Sequence, residues 1–305
     1  MSATGGRLVV ASRELAVLIA RLIAEPEGLS ANCDAAIAAL AAQGISAQAG
    51  EAGEGMLQFT ADTADRIALR ETIDAHFAPS DLLVADHLPL VPRLFVSDMD
   101  STMISAECID ELADFAGIKH QIAAITERAM QGELDFESAL RERVMLLRDL
   151  SEDAIAECLA TRIALMPGAK VLVATLKALG CRTVLVTGGF HQFADPVAKD
   201  LGFEHVVGNR LAIDGGRLTG GLVGPITDSS VKKRVLEDEA ALLGGGPSLA
   251  IGDGANDISM IEAATYGLAY RAKPKARAAA DGWIDRVDLT AVLQLLGIPR
   301  SDWEW

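Results

Sequence analysis

The segment Asp98-Met99-Asp100-Ser101-Thr102 sets two carboxylates directly after the apolar run Leu94-Phe95-Val96. Paired acids at the end of a buried strand are costly. Like charges repel, and each ion loses hydration worth roughly several kcal/mol unless a cation or proton compensates. A hard divalent cation held through oxygen is the simplest compensation. The pattern recurs where Leu249-Ala250-Ile251-Gly252 runs into Asp253-Gly254-Ala255-Asn256-Asp257. Two acid-bearing strand ends, about 150 residues apart, point to one metal site built from both. A third polar strand end is Thr187-Gly188-Gly189, after Thr183-Val184-Leu185-Val186. Its hydroxyl and free backbone N–H groups suit a phosphoryl oxygen, and glycine lets the backbone come close. Alone, the triplet reads more readily as a turn; beside two acid clusters the phosphate-binding reading is the better one.

The elements that must carry these groups read as α/β. Strands are expected at residues 94–97, 182–186, 205–207 and 249–252, with helices at 195–201, 230–243, 257–264 and 289–296. Strands alternating with helices imply a parallel sheet covered on both faces, and ligands bind such sheets beyond the carboxyl ends of the strands. Residues 205–226 carry glycines and short alternating runs, the pattern of a hairpin-like excursion. Between the first two core strands lies a long helical stretch, about 107–164, with no buried strand in sight. It reads as a helical cap at about 104–165, closed by Met166-Pro167-Gly168.

Residues 1–88 read as a separate α+β unit. A strand at 15–24 (where 15–22 also reads as helix), a helix at 30–43, strands at 45–49 and 55–60 split by a turn at 50–53, a helix at 64–77 and a strand at 81–85 give the order βαββαβ. That order is a ferredoxin-like sandwich. Pro89 and Pro92 punctuate the link to residues 89–305, the larger unit.

The 305 residues, half of them apolar, are ample for a core, and the formal charge is −16. That balance argues against nucleic acid and against an anionic membrane surface. No run of 18 apolar residues marks a membrane span. Arg13, Glu14 and Arg21 break the N-terminal apolar run, which argues against a secretory signal; a transit peptide stays open. Cys33, Cys108, Cys158 and Cys181 lie far apart and the five histidines are scattered, so neither a zinc centre nor a disulfide framework is expected. A cytoplasmic enzyme is the default.

Taken in order, Asp98-Met99-Asp100-Ser101-Thr102, Thr187-Gly188-Gly189, a helix-borne lysine and Gly252-Asp253-Gly254-Ala255-Asn256-Asp257 resemble the four motifs of the haloacid dehalogenase-like phosphatases. The segments Glu107-Cys108-Ile109-Asp110-Glu111-Leu112-Ala113, Asp135-Phe136-Glu137 and Leu140-Arg141-Glu142-Arg143-Val144 are similar to the cap of that family's serine-phosphate branch. The resemblance covers about residues 94–285. The N-terminal part looks like the divergent amino-acid-binding, ACT-like domain often attached to such enzymes.

The resemblance implies a phosphoric monoester hydrolase that converts O-phospho-L-serine to L-serine and phosphate, the last step of serine biosynthesis. Asp98 is then the nucleophile and forms an aspartyl-phosphate, while Asp100 is the acid and base for both half-reactions. One Mg²⁺ is held by the Asp98 side chain, the Asp100 backbone carbonyl and Asp253, with Asp257 supporting that shell. Lys232 neutralises nucleophile and phosphoryl group; apolar periodicity (Val231, Val235, Leu242) does not separate it from Lys233, and the family pattern makes the choice. Thr187, Gly188 and Asn256 bind near the phosphate. Position 187 is Thr where many relatives have Ser.

Arg143 falls within the stripe Phe136, Leu140, Val144 and Leu147, and an inward arginine needs an anion: the substrate carboxylate, or an internal glutamate. Glu107 takes the substrate ammonium on the resemblance alone, since its position reads as a solvated first-turn residue. Phe136 and Met130 read as packing. Asp98, Asp100, Asp253, Asp257 and Glu107 bring five negative charges against Lys232 and Arg143, so a dication is needed before a phosphate ester can enter. Hydrolysis of another small phosphate ester, phosphoryl transfer to an alcohol, and a regulatory protein with an inactive α/β part are the competing readings. The N-terminal part serves dimerisation or feedback, and the sequence does not choose between them.

Overall fold

A computed structural model describes residues 16–53 and 55–305. Position 15, where the first strand was expected to open, and Arg13 and Glu14, which break the apolar run, lie outside these residues. The first six elements are β1 (Leu18–Ile23), α1 (Leu29–Ala42), β2 (Ala47–Gly53), β3 (Met56–Ala61), α2 (Arg66–Phe77) and β4 (Asp81–Ala85). The four strands run antiparallel in the order β2-β3-β1-β4. Leu18, Ala20 and Leu22 alternate into the core with Phe59 and Ala61, against Leu69 and Ile73 of α2. Residues 50–53, expected as a turn, instead complete β2, with a register shift between Glu51 and Gly53. Flanking glycines mark an irregular strand there, not its end.

Next come β5 (Leu94–Ser97) and the cap helices α3 (Cys108–Phe115), α4 (Lys119–Met130), α5 (Phe136–Leu146) and α6 (Glu152–Arg162). The chain returns through α7 (Ala169–Ala178), β6 (Arg182–Phe190), α8 (His191–Leu201) and β7 (His205–Asn209). A two-stranded excursion, β8 (Leu211–Asp214) and β9 (Arg217–Leu222), precedes α9 (Ser229–Leu242) and β10 (Ser248–Gly252). The last elements are α10 (Ile258–Ala263), β11 (Tyr266–Tyr270), α11 (Pro274–Ala279), β12 (Gly282–Ile284) and α12 (Ala291–Leu296). The elements α7, β11, α11 and β12 escaped the sequence pattern. β11 is buried along its whole length and β12 has three residues, so neither alternates long enough to register.

β12, β11, β10, β5, β6 and β7 lie side by side and parallel. Every residue of β5 and β10 is buried, as strands covered on both faces must be. Ser97 pairs with Ile251 on one side and Leu185 on the other. Continuing that register by one or two residues brings Asp98, Asp253 and Thr187 out at one level of the sheet. The fold thus places three polar strand ends together before any side chain is considered.

The cap is tied down at two points. Ile104 and Leu165 form an isolated bridge at its base. At its far end Ser151 bridges Arg217, and Leu218 exchanges backbone bonds with Asp149 and Leu150 at 2.9 Å each. The excursion expected at 205–226 is therefore a strut from core to cap.

The sheet does not stop at residue 88. β4 pairs antiparallel with β12, making one ten-stranded sheet. Asp81, fully buried, accepts the N–H groups of Asp285 and Arg286 at 2.8 Å and of Val287 at 3.1 Å. Gly282 sits in this seam, where an added Cβ would lie 1.9 Å from the Leu82 carbonyl oxygen. Gly282→Ala is expected to cost about 3 kcal/mol or more, seen as a lower denaturation midpoint. Gly50→Ala, with nothing within 4 Å of the new methyl, should stay within about 0.5 kcal/mol of wild type.

Candidate active site

Asp98 leaves β5 buried, its own N–H bonded to the Ile251 carbonyl at 3.0 Å. Lys232, in the first turn of α9, reaches it from below. Asp228 caps that helix through the N–H groups of Ser230 and Val231, which fixes the first turn. Lys232 Nζ is 2.5 Å from Asp98 Oδ1 and 2.6 Å from Asp257 Oδ1, and the lysine is 1% exposed. Lys233 points outward to Glu237. The structure therefore separates the two lysines that periodicity left equivalent. The buried face of α9 is Lys232, Leu236 and Glu239, not the expected Val231, Val235 and Leu242; Leu242 is exposed. A lysine on the inward stripe hid the true phase of the helix.

Burial disfavours the charge of Lys232, but Asp98 and Asp257 outweigh it and hold the ammonium above the ordinary lysine value. Burial, and then Asp257, push the Asp98 carboxyl well above the usual carboxylate range. The trio has two carboxylates and one ammonium, so it lacks one positive charge. Asp257 spends its other oxygen on the Gly254 N–H at 3.0 Å. Gly252 makes room for it, since a Cβ there would lie 2.4 Å from the Asp257 carboxyl carbon.

Carboxylate oxygens of Asp98, Asp253 and Asp257 lie within 4.8 Å of one another. All are hard oxygen donors in a pocket short of positive charge, and they fit a divalent cation such as Mg²⁺. Asp253 is also raised, first by burial, with Lys273 opposing. The Asp100 carboxylate turns the other way. It accepts the Cys108 N–H at 3.1 Å and the Thr187 hydroxyl at 3.4 Å, and burial raises its pKa. The Thr187 hydroxyl oxygen in turn accepts the Gly189 N–H at 2.8 Å. A Cβ on Gly189 would lie 2.8 Å from Asp100 Oδ2, so the second glycine of the triplet is needed for close approach.

A cavity of about 450 Å³ opens above this floor and runs to the cap. Arg143, Glu107, Thr187, Gly188 and Asn256 all face it. Arg143 is half-buried and burial lowers its pKa; among the described residues its one polar bond is a 3.3 Å contact from Nε to the Ala139 carbonyl. The internal glutamate that was its alternative partner makes no ion pair with it among the described residues. Phe136 and Met130, expected as packing, line the cleft and are 39% and 80% exposed. Their helical spacing matched the core stripe, but they stand at the open end of their helices.

Two residues of the site carried no sequence signal. Buried Asn209 donates to the Gly188 carbonyl at 2.8 Å and accepts the Thr227 N–H at 2.9 Å, bracing the glycine loop. Lys273 lines the cleft and pairs with Asp253 at 3.2 Å.

Glu107 stands at the cleft mouth, with one side open to water, and accepts the Ser101 hydroxyl at 2.9 Å. Surrounding protein, and then Asp100, raise its carboxyl from the ordinary 4.5 to about 7. Between those values the folded chain binds more protons than the unfolded one. Glu107 therefore lowers stability as pH rises through that window, and does so fully above it. Glu107→Gln is expected to raise the Tm of the metal-free protein near pH 8 and leave it unchanged near pH 4. Thermal melts at both pH values check this; an equal shift at the two would refute it.

The haloacid dehalogenase-like hydrolase model matches residues 95–262, and a second model of that description matches 245–296. The phosphoserine phosphatase of Archaeoglobus fulgidus is 45% identical over 211 residues, which is 68% of this chain and 61% of that protein. A crystal structure of a probable phosphoserine phosphatase from Vibrio cholerae, unliganded, aligns with a TM-score of 0.72 at 32% identity, covering 94% of this chain and 88% of that one. A structure described as a phospho-aspartyl intermediate analogue of phosphoserine phosphatase aligns with a TM-score of 0.61 at 36% identity, covering 67% of this chain and 98% of that one. The chain spans 61% and 52% of the lengths of the first two curated relatives it matches. With its acid-bearing strand ends, its buried lysine and a family model covering more than half its length, the chain belongs to the haloacid dehalogenase-like hydrolases.

Proposed function

We propose that this protein is a phosphoserine phosphatase, hydrolysing O-phospho-L-serine to L-serine and phosphate through a phosphoryl ester on Asp98. One observation carries the reading. Asp98, paired with Lys232, forms the floor of a cleft whose roof presents Arg143 and whose rim presents Glu107. A phosphate at the floor and a zwitterionic head at the roof use Lys232, Arg143 and Glu107 together.

In this reading an Asp98 oxygen attacks phosphorus and the bond to the serine oxygen breaks. Asp100, its pKa raised by burial, gives its proton to that oxygen. After serine leaves, Asp100 takes a proton from the water that hydrolyses the acyl phosphate, so one group serves both half-reactions. Lys232 offsets charge on the nucleophile and on the phosphoryl oxygens. The Thr187 hydroxyl and the Gly188 N–H hold those oxygens, with Asn256 beside them. Mg²⁺ would be held by the Asp98 side chain, the Asp100 carbonyl and Asp253, with Asp257 supporting them, and would supply Lewis-acid stabilisation of the phosphoryl group. Arg143 takes the substrate carboxylate as a bidentate pair and Glu107 its ammonium. The A. fulgidus and V. cholerae relatives support the substrate, and the phospho-aspartyl analogue supports the intermediate.

The same reading makes residues 1–88 an ACT-like unit, residues 89–305 the catalytic unit with a cap at about 104–165, and the reaction the last step of serine synthesis in the cytoplasm. A homodimer belongs to it as well, with the N-terminal unit serving either dimerisation or feedback. No helix among the described residues is long and apolar enough to cross a membrane.

Purified protein with Mg²⁺ is expected to release phosphate from phosphoserine. Asp98→Asn should lower kcat by about 10³-fold or more, and exhaustive chelation should abolish turnover until Mg²⁺ is restored. Full activity without metal, or in Asp98→Asn, would overturn the mechanism. Arg143→Leu should raise KM for phosphoserine by about tenfold or more while changing hydrolysis of p-nitrophenyl phosphate by less than about threefold. Equal losses on both esters would remove Arg143 from substrate recognition.

A further inference from the structure

Lys273 belongs to none of the motifs above, yet it is tied twice to one residue of the metal cluster. Its N–H donates to the Asp253 carbonyl at 2.9 Å, and its ammonium lies 3.2 Å from Asp253 Oδ2. The chain arranges this economically. Pro274 opens α11 with its φ already suited to a first turn, which leaves Lys273 as the extended residue just before the helix. Inside α11 the Arg277 N–H bonds back to the Lys273 carbonyl at 3.1 Å. The Arg277 guanidinium grips Asp74 of α2 at 2.7 and 3.0 Å. Lys273 therefore sits on a helix braced against the N-terminal half.

The charges divide unevenly. Lys232 already faces Asp98 and Asp257. Among the described residues, Lys273 is the one cation paired with Asp253. Its side chain is 67% exposed, so the ammonium is free to swing into water. A dication entering the cluster meets a standing positive charge on one of its ligands, and two like charges at such range repel.

We propose that Lys273 sets divalent-cation occupancy: its ammonium neutralises Asp253 while the site is without metal, and weakens metal binding because it must share or give up that carboxylate. This rests on Asp253 being a metal ligand, as proposed above. Lys273 is thus a tuning residue, acting through Asp253 and not on the phosphoryl group.

The test is calorimetric titration of MgCl₂ into the full-length, metal-free protein without substrate. Lys273→Met and Lys273→Gln are expected to bind Mg²⁺ about five- to tenfold more tightly than wild type, as suits one partly exposed charge at close range. Lys273→Arg, which keeps the charge, should stay within about twofold. The gap between wild type and the neutral variants should narrow as salt is raised. Unchanged or weaker binding in both neutral variants would overturn the proposal. Asp253→Asn separates the two readings: if it binds Mg²⁺ as well as wild type, the metal site itself is misassigned, whereas its loss of binding beside unchanged Lys273 variants rejects the tuning role alone.

Discussion

One buried ammonium facing two buried carboxylates governs the catalytic half of this molecule. Lys232 is 1% exposed and Asp257 fully buried, and neither tolerates the loss of its partner. Removing one member of a buried ion pair costs about 3–5 kcal/mol, because the remaining charge stays out of water. Much of the surrounding sequence serves this arrangement. Asp228 anchors the first turn of α9 so that Lys232 points inward. Gly252 leaves space for the Asp257 carboxyl, and the Gly254 N–H holds its second oxygen. The trio still lacks one positive charge, and that deficit fits the cluster to a cation. A site neutral by itself would have no electrostatic reason to take one up.

In the proposed reading, selectivity is built separately, on the cap. α5 hangs over the strand ends and brings the Phe136 ring to 3.5 Å from where a Gly188 Cβ would stand. The distance between Arg143 and the catalytic floor is set by the cap's attachments: the Ile104–Leu165 bridge at one end and the β9 strut at the other. Gly220 of that strut packs so closely on Met145 that an added Cβ would come within 3.0 Å of its sulfur. A bulkier residue there would have to displace the Met145 side chain and crowd Arg148, at the end of α5 that the strut supports. In that reading chemistry and recognition rest on different elements.

The legible part of the site was the part written in consecutive residues. Asp98, Asp100 and Asp253 announced themselves because acids directly after apolar strands have no cheap structural reason to be there. The parallel register then did the assembling. Lys232 against Lys233 was not legible, because the buried stripe of α9 includes Lys232 and Glu239, which a hydrophobic pattern counts as outward. Phe136 and Met130 line the cleft for a reason no pattern shows: apolar residues at helical spacing look like core even when they face open space. Asn209 and Lys273 gain their roles only from neighbours about 20 residues away in the chain (Gly188 for one, Asp253 for the other), so local patterns carry no trace of them. β12 was missed because three residues cannot show a period, although its pairing decides where the sheet ends.

That pairing changes how the N-terminal residues relate to the rest. The βαββαβ order reads as a self-contained unit, and its own core of Leu22, Phe59 and Ile73 would suit one. In the folded chain the same core takes in Ala269, Ala280 and Trp283 from the catalytic half. β12 finds its second neighbour in β4, and without it the catalytic sheet would end on a three-residue edge. The carboxylate of Asp81 closes the seam by accepting three consecutive N–H groups after β12. α11 lies over this seam, held by Asp74 on one side and presenting Lys273 to Asp253 on the other. The N-terminal unit is thus joined to the acidic cluster by a short run of direct contacts: Asp74 to Arg277, Arg277 to Lys273, Lys273 to Asp253. Any force that shifts α2 acts on a helix whose capping residue, Lys273, touches Asp253, and no distant relay is required for the two units to feel each other.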